Sequence, residues 1–257
     1  MIENKYNDEK FFNKYSEMER SKFGLNAAGE WESLKNILPS FENKNILDLG
    51  CGYGWHLIYA IENKANLAVG ADISDKMLDA AREKIKNINN IKLILSSIES
   101  IDENIKNDDE LKNIKFDIVL SSLALHYIED FDRAVKTVKG LLKDDGYFVF
   151  SAEHPIFTAY GTQDWLYNDN GEIFCFPIDN YFYEGKRNTK FLGESVIKYH
   201  RTITTYINTL INNGFIIENV IEPIPSEKML KENKEMQNEL RRPMMIIIKS
   251  KNIVDSN

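Results

Sequence analysis

Between Ile46 and His56 the chain reads ILDLGCGYGWH, an apolar segment running into Gly50, Gly52 and Gly54, with Asp48 two residues ahead of the first glycine. A glycine turn between a strand and a helix lets backbone N–H groups approach a ligand, and the helix N-terminus behind it favours a negative group. That suits any nucleotide-like ligand. A dinucleotide fingerprint would space its glycines as GxGxxG, and here Trp55 stands where the last glycine of that pattern approaches. Asp48 separates the choices: a buried carboxylate repels a pyrophosphate and attracts a cation.

A second segment, VGADIS, ends in Asp72, 18 residues after Gly54. An acidic side chain at that strand end can accept hydrogen bonds from both ribose hydroxyls, and Ile73 can lie flat against an adenine face. Ser97, Ile98 and Glu99 of SSIES follow a third strand, where the edge of the adenine would be read. S-adenosylmethionine fits this set: it carries a sulfonium, an ammonium and one carboxylate, and no phosphate. His126 (in LALHY) and His154 (in SAEHP) follow the fourth and fifth strands, at the end where open α/β sheets bind ligands. His154 is the first candidate for a general base and His126 the second. Each also reads as a structural histidine that organises its loop.

DLGCGYG, GADIS followed by Met77, and FDIVLSSLALHYIED together resemble the motifs of class I S-adenosylmethionine-dependent methyltransferases, in the branch that includes ubiquinone/menaquinone-type and many small-molecule enzymes. The resemblance covers roughly residues 43–153. It implies that Asp48, Gly50, Cys51 and Gly52 line the methionine part of the cofactor. It further implies that Asp72 holds the ribose, Ile73 packs on adenine and Ile98 offers its N–H to the ring. Ser121, at the end of the fourth strand, would lie near the methionine end. Many relatives have Asp where this chain has Ser97, so Glu99 or water would have to serve the adenine amino group. N-terminal helices of similar enzymes fold over the cofactor, and an aromatic face such as Tyr15 attracts a sulfonium through its quadrupole; core packing is the other reading of Tyr15.

The elements that must position these groups alternate. Short apolar strands at Asn45–Leu49, Asn66–Asp72, Ile91–Ser96, Phe116–Ser122 and Tyr147–Glu153 are separated by helical segments. Such strands form a parallel sheet covered on both faces. The spacing of Phe11, Phe12, Tyr15 and Met18, and of Trp31 and Leu34, predicts helices before the first strand. Residues 154–198 break the rhythm with aromatics from Phe157 to Phe191, read as a cap that walls a substrate pocket or simply forms its own small core. A helix from Arg201 to Asn213, a strand to Pro223, a polar helix from Ser226 to Leu240 and a last strand complete the chain. The expectation is a Rossmann-like α/β fold, mostly parallel with an antiparallel C-terminal edge. One methyltransferase domain spans 1–257: a helical lid (1–40), the cofactor-binding core (43–153), the cap insertion (154–200) and the rest of the core (201–257).

Bulk composition narrows the classes. A chain of 257 residues, 43% hydrophobic, suits one domain with a full core. A formal net charge of −8 argues against a primary grip on nucleic acid. Cys51 and Cys175 make no metal-ligand pattern, so the expected enzyme uses no metal. The N-terminus is not a secretory signal, and a reduced cytoplasmic thiol is the simpler reading. The expected reaction is in-line methyl transfer to an O, N or C nucleophile of a small molecule. A tRNA or protein acceptor, or a non-catalytic cofactor-binding role, stays open.

Overall fold

The computed structural model describes residues 4–253. Three helices come first: α1 (Glu9–Ser16), α2 (Glu19–Phe23) and α3 (Trp31–Ile37). The Asp8 side chain caps α1 by accepting from the Phe11 amide. The alternation then runs β1 (Asn45–Leu49), α4 (Trp55–Glu62), β2 (Leu67–Asp72), α5 (Asp75–Ile85), β3 (Ile91–Leu95), α6 (Ile101–Lys106), β4 (Phe116–Ser122), α7 (Phe131–Leu141) and β5 (Leu142–Glu153). Ser74 caps α5 and Asp130 caps α7.

Beyond β5 come α8 (Pro155–Ala159), a small hairpin of β6 (Leu166–Tyr167) and β7 (Ile173–Cys175), and a longer one of β8 (Gly185–Phe191) and β9 (Glu194–His200). The chain finishes with α9 (Ile203–Asn212), β10 (Phe215–Ile221), α10 (Glu227–Glu232) and β11 (Met245–Asn252).

The main sheet has seven strands in the order β10-β11-β5-β4-β1-β2-β3. β1 to β5 pair in parallel, whereas β11 runs antiparallel between β5 and β10. The expected mixed Rossmann-like sheet therefore forms, with an antiparallel edge. Its largest core cluster joins Leu47, Val69, Val119, Phe148 and Phe150 of the strands to Val135 and Val138 of α7 and Leu210 of α9. The reversal of strand order between β4–β1 and β1–β2 opens a crevice beyond the carboxyl ends of the strands.

Two expected boundaries differ. β5 begins at Leu142, not at Tyr147, because Asp145, with φ of 60°, kinks the strand without ending it. The helix expected over Ser226–Leu240 breaks at Asn233, whose extended backbone and side-chain bond to the Glu235 amide start a separate 3-10 turn over Lys234–Arg241. Among the described residues, no helix is long and apolar enough to cross a membrane.

Candidate active site

A cavity of about 470 Å³ opens over the carboxyl ends of β1 to β5. Gly50 and Gly52 enter it from the turn after β1, Asp72 and Ile73 from β2, and Ser97, Ile98 and Glu99 from the turn after β3. Ser122 and His126 follow from β4 and Glu153 from β5; Tyr15, Arg20 and Glu30 come down from the N-terminal segment.

The glycine turn shows why its N–H groups do not form a phosphate cradle. Gly50 and Cys51 both donate to the Ala71 carbonyl, at 2.8 and 3.0 Å, and Gly54 donates to the Cys51 carbonyl. The Gly52 amide donates to Asp72 Oδ2 at 2.9 Å. These donors are already engaged by the protein, so the turn offers shape rather than anion-binding amides. Gly50, Gly52 and Gly54 all adopt positive φ (74°, 51° and 75°), the region that favours glycine. A Cβ on Gly52 would meet no protein atom within 4 Å and would stand in the open cavity.

Asp72 is the charged centre of this end. Burial pushes its carboxyl up to about 6, Asp48 adds to the rise, and the Ser74 and Gly52 amides oppose it. Asp48 itself lies beneath the turn and does not reach the cavity: it is fully buried, with neither oxygen hydrogen-bonded and His56 Nδ1 3.5 Å away. The Cys51 side chain also faces inward; burial pushes its thiol well up, followed by Asp72 and Asp48. Ser121 departs from its expected position. It is fully buried and donates to the Leu49 carbonyl at 2.9 Å, because alternate residues of a strand face opposite ways; the neighbouring Ser122 reaches the cavity instead.

Beyond β3, Ile98 lines the cavity, and Glu99 keeps a buried Oε2 with no hydrogen-bond partner. Tyr15 lines it too, packed edge-on against Tyr6 at 5.2 Å between centroids. The Tyr6 hydroxyl in turn meets that of Tyr127 at 3.1 Å.

The two histidines part company. His126 lines the cavity, yet Glu153 engages both its nitrogens: Nδ1 accepts from the Glu153 amide at 3.3 Å, and Nε2 lies 4.0 Å from Glu153 Oε1. Burial pulls its pKa down to about 4, which keeps it neutral, and its lone pair points at the backbone. His154 is wholly buried and is not among the cavity residues. Its Nδ1 caps α8 by accepting from the Ile156 amide at 3.0 Å, and Nε2 sits 2.9 Å from Glu222 Oε1 without hydrogen-bond alignment. The ring is fastened between the end of β5 and the segment after β10, which does not suit the expected role of base.

Several residues here escaped the sequence reading. Glu153 pairs with the buried Lys198 and accepts from Gln163 Nε2 at 2.6 Å, while Lys198 donates to Gln163 Oε1 at 3.0 Å. Burial alone would raise Glu153, but His126 and Lys198 hold it below the usual carboxylate range. Arg20 pairs with Glu30 at 2.9 Å, and Ser122 donates to the same Glu30 oxygen at 3.2 Å. Met18, Met77, Met229, Met236, Met244 and Met245 all line the cavity. Of the cap's aromatics among the described residues, Phe191 alone joins this lining, beside Val196, Ile197 and Lys198. Phe157, Trp165 and Phe176 instead surround the Arg242 guanidinium at 4.6 to 4.8 Å and stay half-buried.

Comparison with known proteins agrees with this geometry. The family model described as a methyltransferase domain matches residues 40–252. An S-adenosylmethionine-dependent methyltransferase from Mesorhizobium loti superposes with a TM-score of 0.77 at 37% identity, covering 89% of this chain and all of that one. A Listeria monocytogenes chain assigned to the same cofactor-dependent class superposes with a TM-score of 0.80 at 48% identity, covering 90% of this chain and all of its own. An uncharacterized protein of Haemophilus influenzae is 33% identical over 253 residues, covering 96% of each chain.

Proposed function

The chain belongs to the methyltransferase-domain family and is a class I S-adenosylmethionine-dependent enzyme, and from that premise we propose that it methylates an O, N or C nucleophile of a small molecule held wholly inside the cavity. The carrying observation is continuity: one cavity runs from the glycine turn to Glu153 and the methionine-lined wall, beneath α1 and α2. A confined, largely apolar chamber suits a small-molecule acceptor of the ubiquinone/menaquinone-type branch better than a tRNA backbone. The acidic net charge supports the same choice. On this reading residues 1–257 act as one unit, with 1–40 as lid and 154–200 as cap.

The residues suit the cofactor. Gly52 leaves open the space that a Cβ would fill, and Glu99 holds an unpaired buried oxygen at the adenine end. S-adenosylmethionine supplies, when bound, an electrophilic methyl group activated by a sulfonium. Asp72 would take the ribose hydroxyls, Ile73 the adenine face, the Ile98 N–H the edge of the ring, and Glu99 the exocyclic amine. Gly50 and Gly52 would border the methionine part, with Arg20 offering its guanidinium to the carboxylate and Tyr15 an aromatic face to the cation. Asp48, buried below, would act through the field it adds at the turn. His126 would orient Glu153, and the lid would exclude water while nucleophile and methyl are aligned.

The experiment is to incubate the protein and methyl-labelled S-adenosylmethionine with fractionated cell extract. Label should enter the low-molecular-mass fraction. Label confined to RNA or protein would overturn the small-molecule reading.

A further inference from the structure

The sheet order divides the cavity. Gly52, Asp72 and Ile98 occupy the ends of β1, β2 and β3, so the ends of β4, β5 and β11 are left for the acceptor. On that side sits an unsatisfied group. Glu30 is 2% exposed; its Oε1 receives Arg20 and Ser122, while Oε2 is buried with no hydrogen-bond partner. Ser122 also shares a 3.1 Å hydrogen bond with Ser151, which ties this carboxylate to β4 and β5. A buried carboxylate oxygen without a donor is costly, and a ligand N–H or O–H would relieve that cost.

The other polar groups on this side are already engaged. Glu153 is closed off by Lys198 and Gln163. His126 turns its free lone pair to a backbone amide, and His154 lies outside the cavity. No imidazole is left to deprotonate an alkyl alcohol, whose very high pKa demands a well-matched base. A carboxylic acid would be repelled by Glu30. An amine of low basicity, uncharged at neutral pH as aromatic amines are, meets neither obstacle: its nitrogen keeps its lone pair, and a carboxylate can orient its N–H. The rest of the acceptor would lie against Met229, Met236, Met244, Met245, Ile224 and Val196, flexible apolar side chains that adapt to shape.

Resting on the methyltransferase reading above, we propose that the acceptor is a small apolar amine of low basicity, uncharged at neutral pH, methylated on nitrogen, with its N–H hydrogen-bonded to Glu30 Oε2. The N–CH3 bond forms as the methyl carbon leaves sulfur, which keeps the bonding pair. The surplus proton on nitrogen passes to the Glu30 carboxylate.

The test uses the full chain loaded with S-adenosylhomocysteine, and a panel of amines, alcohols, phenols and carboxylic acids matched in carbon skeleton. Calorimetry and thermal shift should register the apolar amines at least roughly tenfold more tightly than the matched carboxylic acids, which Glu30 repels; turnover, not binding, separates amines from alcohols and phenols. Labelled methyl from S-adenosylmethionine should then appear on nitrogen. In Glu30→Gln the amide oxygen can still receive Arg20, but its NH2 replaces the free acceptor; the advantage of the amines over the acids should vanish, and cofactor affinity should change by less than amine affinity does, Arg20 being retained. Binding of the acids as tight as that of the amines, or methyl transfer to alcohols or phenols in place of the amines, overturns the proposal on the wild-type protein alone. A Glu30→Gln loss of cofactor affinity equal to the loss of amine affinity overturns it too, because Glu30 would then belong to the cofactor. Failure of S-adenosylhomocysteine to bind would instead strike the methyltransferase reading itself.

Discussion

The amide of Gly52 donates to the carboxylate of Asp72 across 2.9 Å, so the glycine turn after β1 and the acidic end of β2 form one unit. The same bond removes a donor that a phosphate would need, and it holds Asp72 at the cavity. On the proposed reading, this unit, with Asp48 buried under it, selects a cationic ligand over a phosphate.

Replacing Asp72 with Ala should weaken S-adenosylmethionine binding by more than tenfold, since the loss of two ribose contacts costs on the order of 2 kcal/mol. Titration calorimetry on the folded variant checks this; unchanged affinity would remove Asp72 from the ribose site.

Acidity supplies a second prediction. Asp72 titrates at about 6, above its ordinary value, chiefly because burial disfavours the charge. Cofactor affinity should therefore fall as pH drops through about 6 and the carboxylate protonates. Ligand-free stability moves the other way. The folded state holds this proton more tightly than the unfolded chain does, so this group's contribution rises as pH falls from about 7 toward the unfolded value. Melting curves of wild type minus Asp72→Asn isolate the effect; a difference independent of pH would contradict it.

The two glycines should respond differently to a methyl group. Gly50→Ala places Cβ 2.5 Å from Cβ of Ala124 at a positive φ, so the fold should lose about 1–3 kcal/mol. Gly52→Ala carries the same kind of backbone strain but meets open space, so cofactor affinity should fall more than stability does. Melting temperature and calorimetry on both variants separate the cases.

His154→Ala should leave turnover within a few-fold and lower stability by about 1–3 kcal/mol, through loss of the α8 cap and of a buried polar ring. Steady-state kinetics and denaturation are the measurements; a collapse of kcat in a stable variant would restore His154 as a catalytic group.

The parts legible in the sequence were those fixed by local backbone chemistry. Glycines at 50, 52 and 54 marked a turn between strand and helix, which forms with all three at positive φ, and Asp72 was read at the strand end where it lies. Strand alternation decided between Ser121 and Ser122 only once register was known. Both histidines follow strands at the correct end of the sheet, but the partners that occupy them, Glu153, Ile156 and Glu222, are set by tertiary packing. Glu30 opens an unremarkable helical stretch, and its meeting with Arg20 and Ser122 depends on how the N-terminal helices pack on the sheet. The six cavity methionines lie between positions 18 and 245, so no sequence window could show that they line one cavity.

The most direct measurement is competitive calorimetry of the wild-type protein with S-adenosylmethionine and NAD at neutral pH. The account predicts that the sulfonium ligand binds at least about a hundredfold more tightly, about 2.7 kcal/mol. Tight binding of NAD with none of S-adenosylmethionine would contradict it.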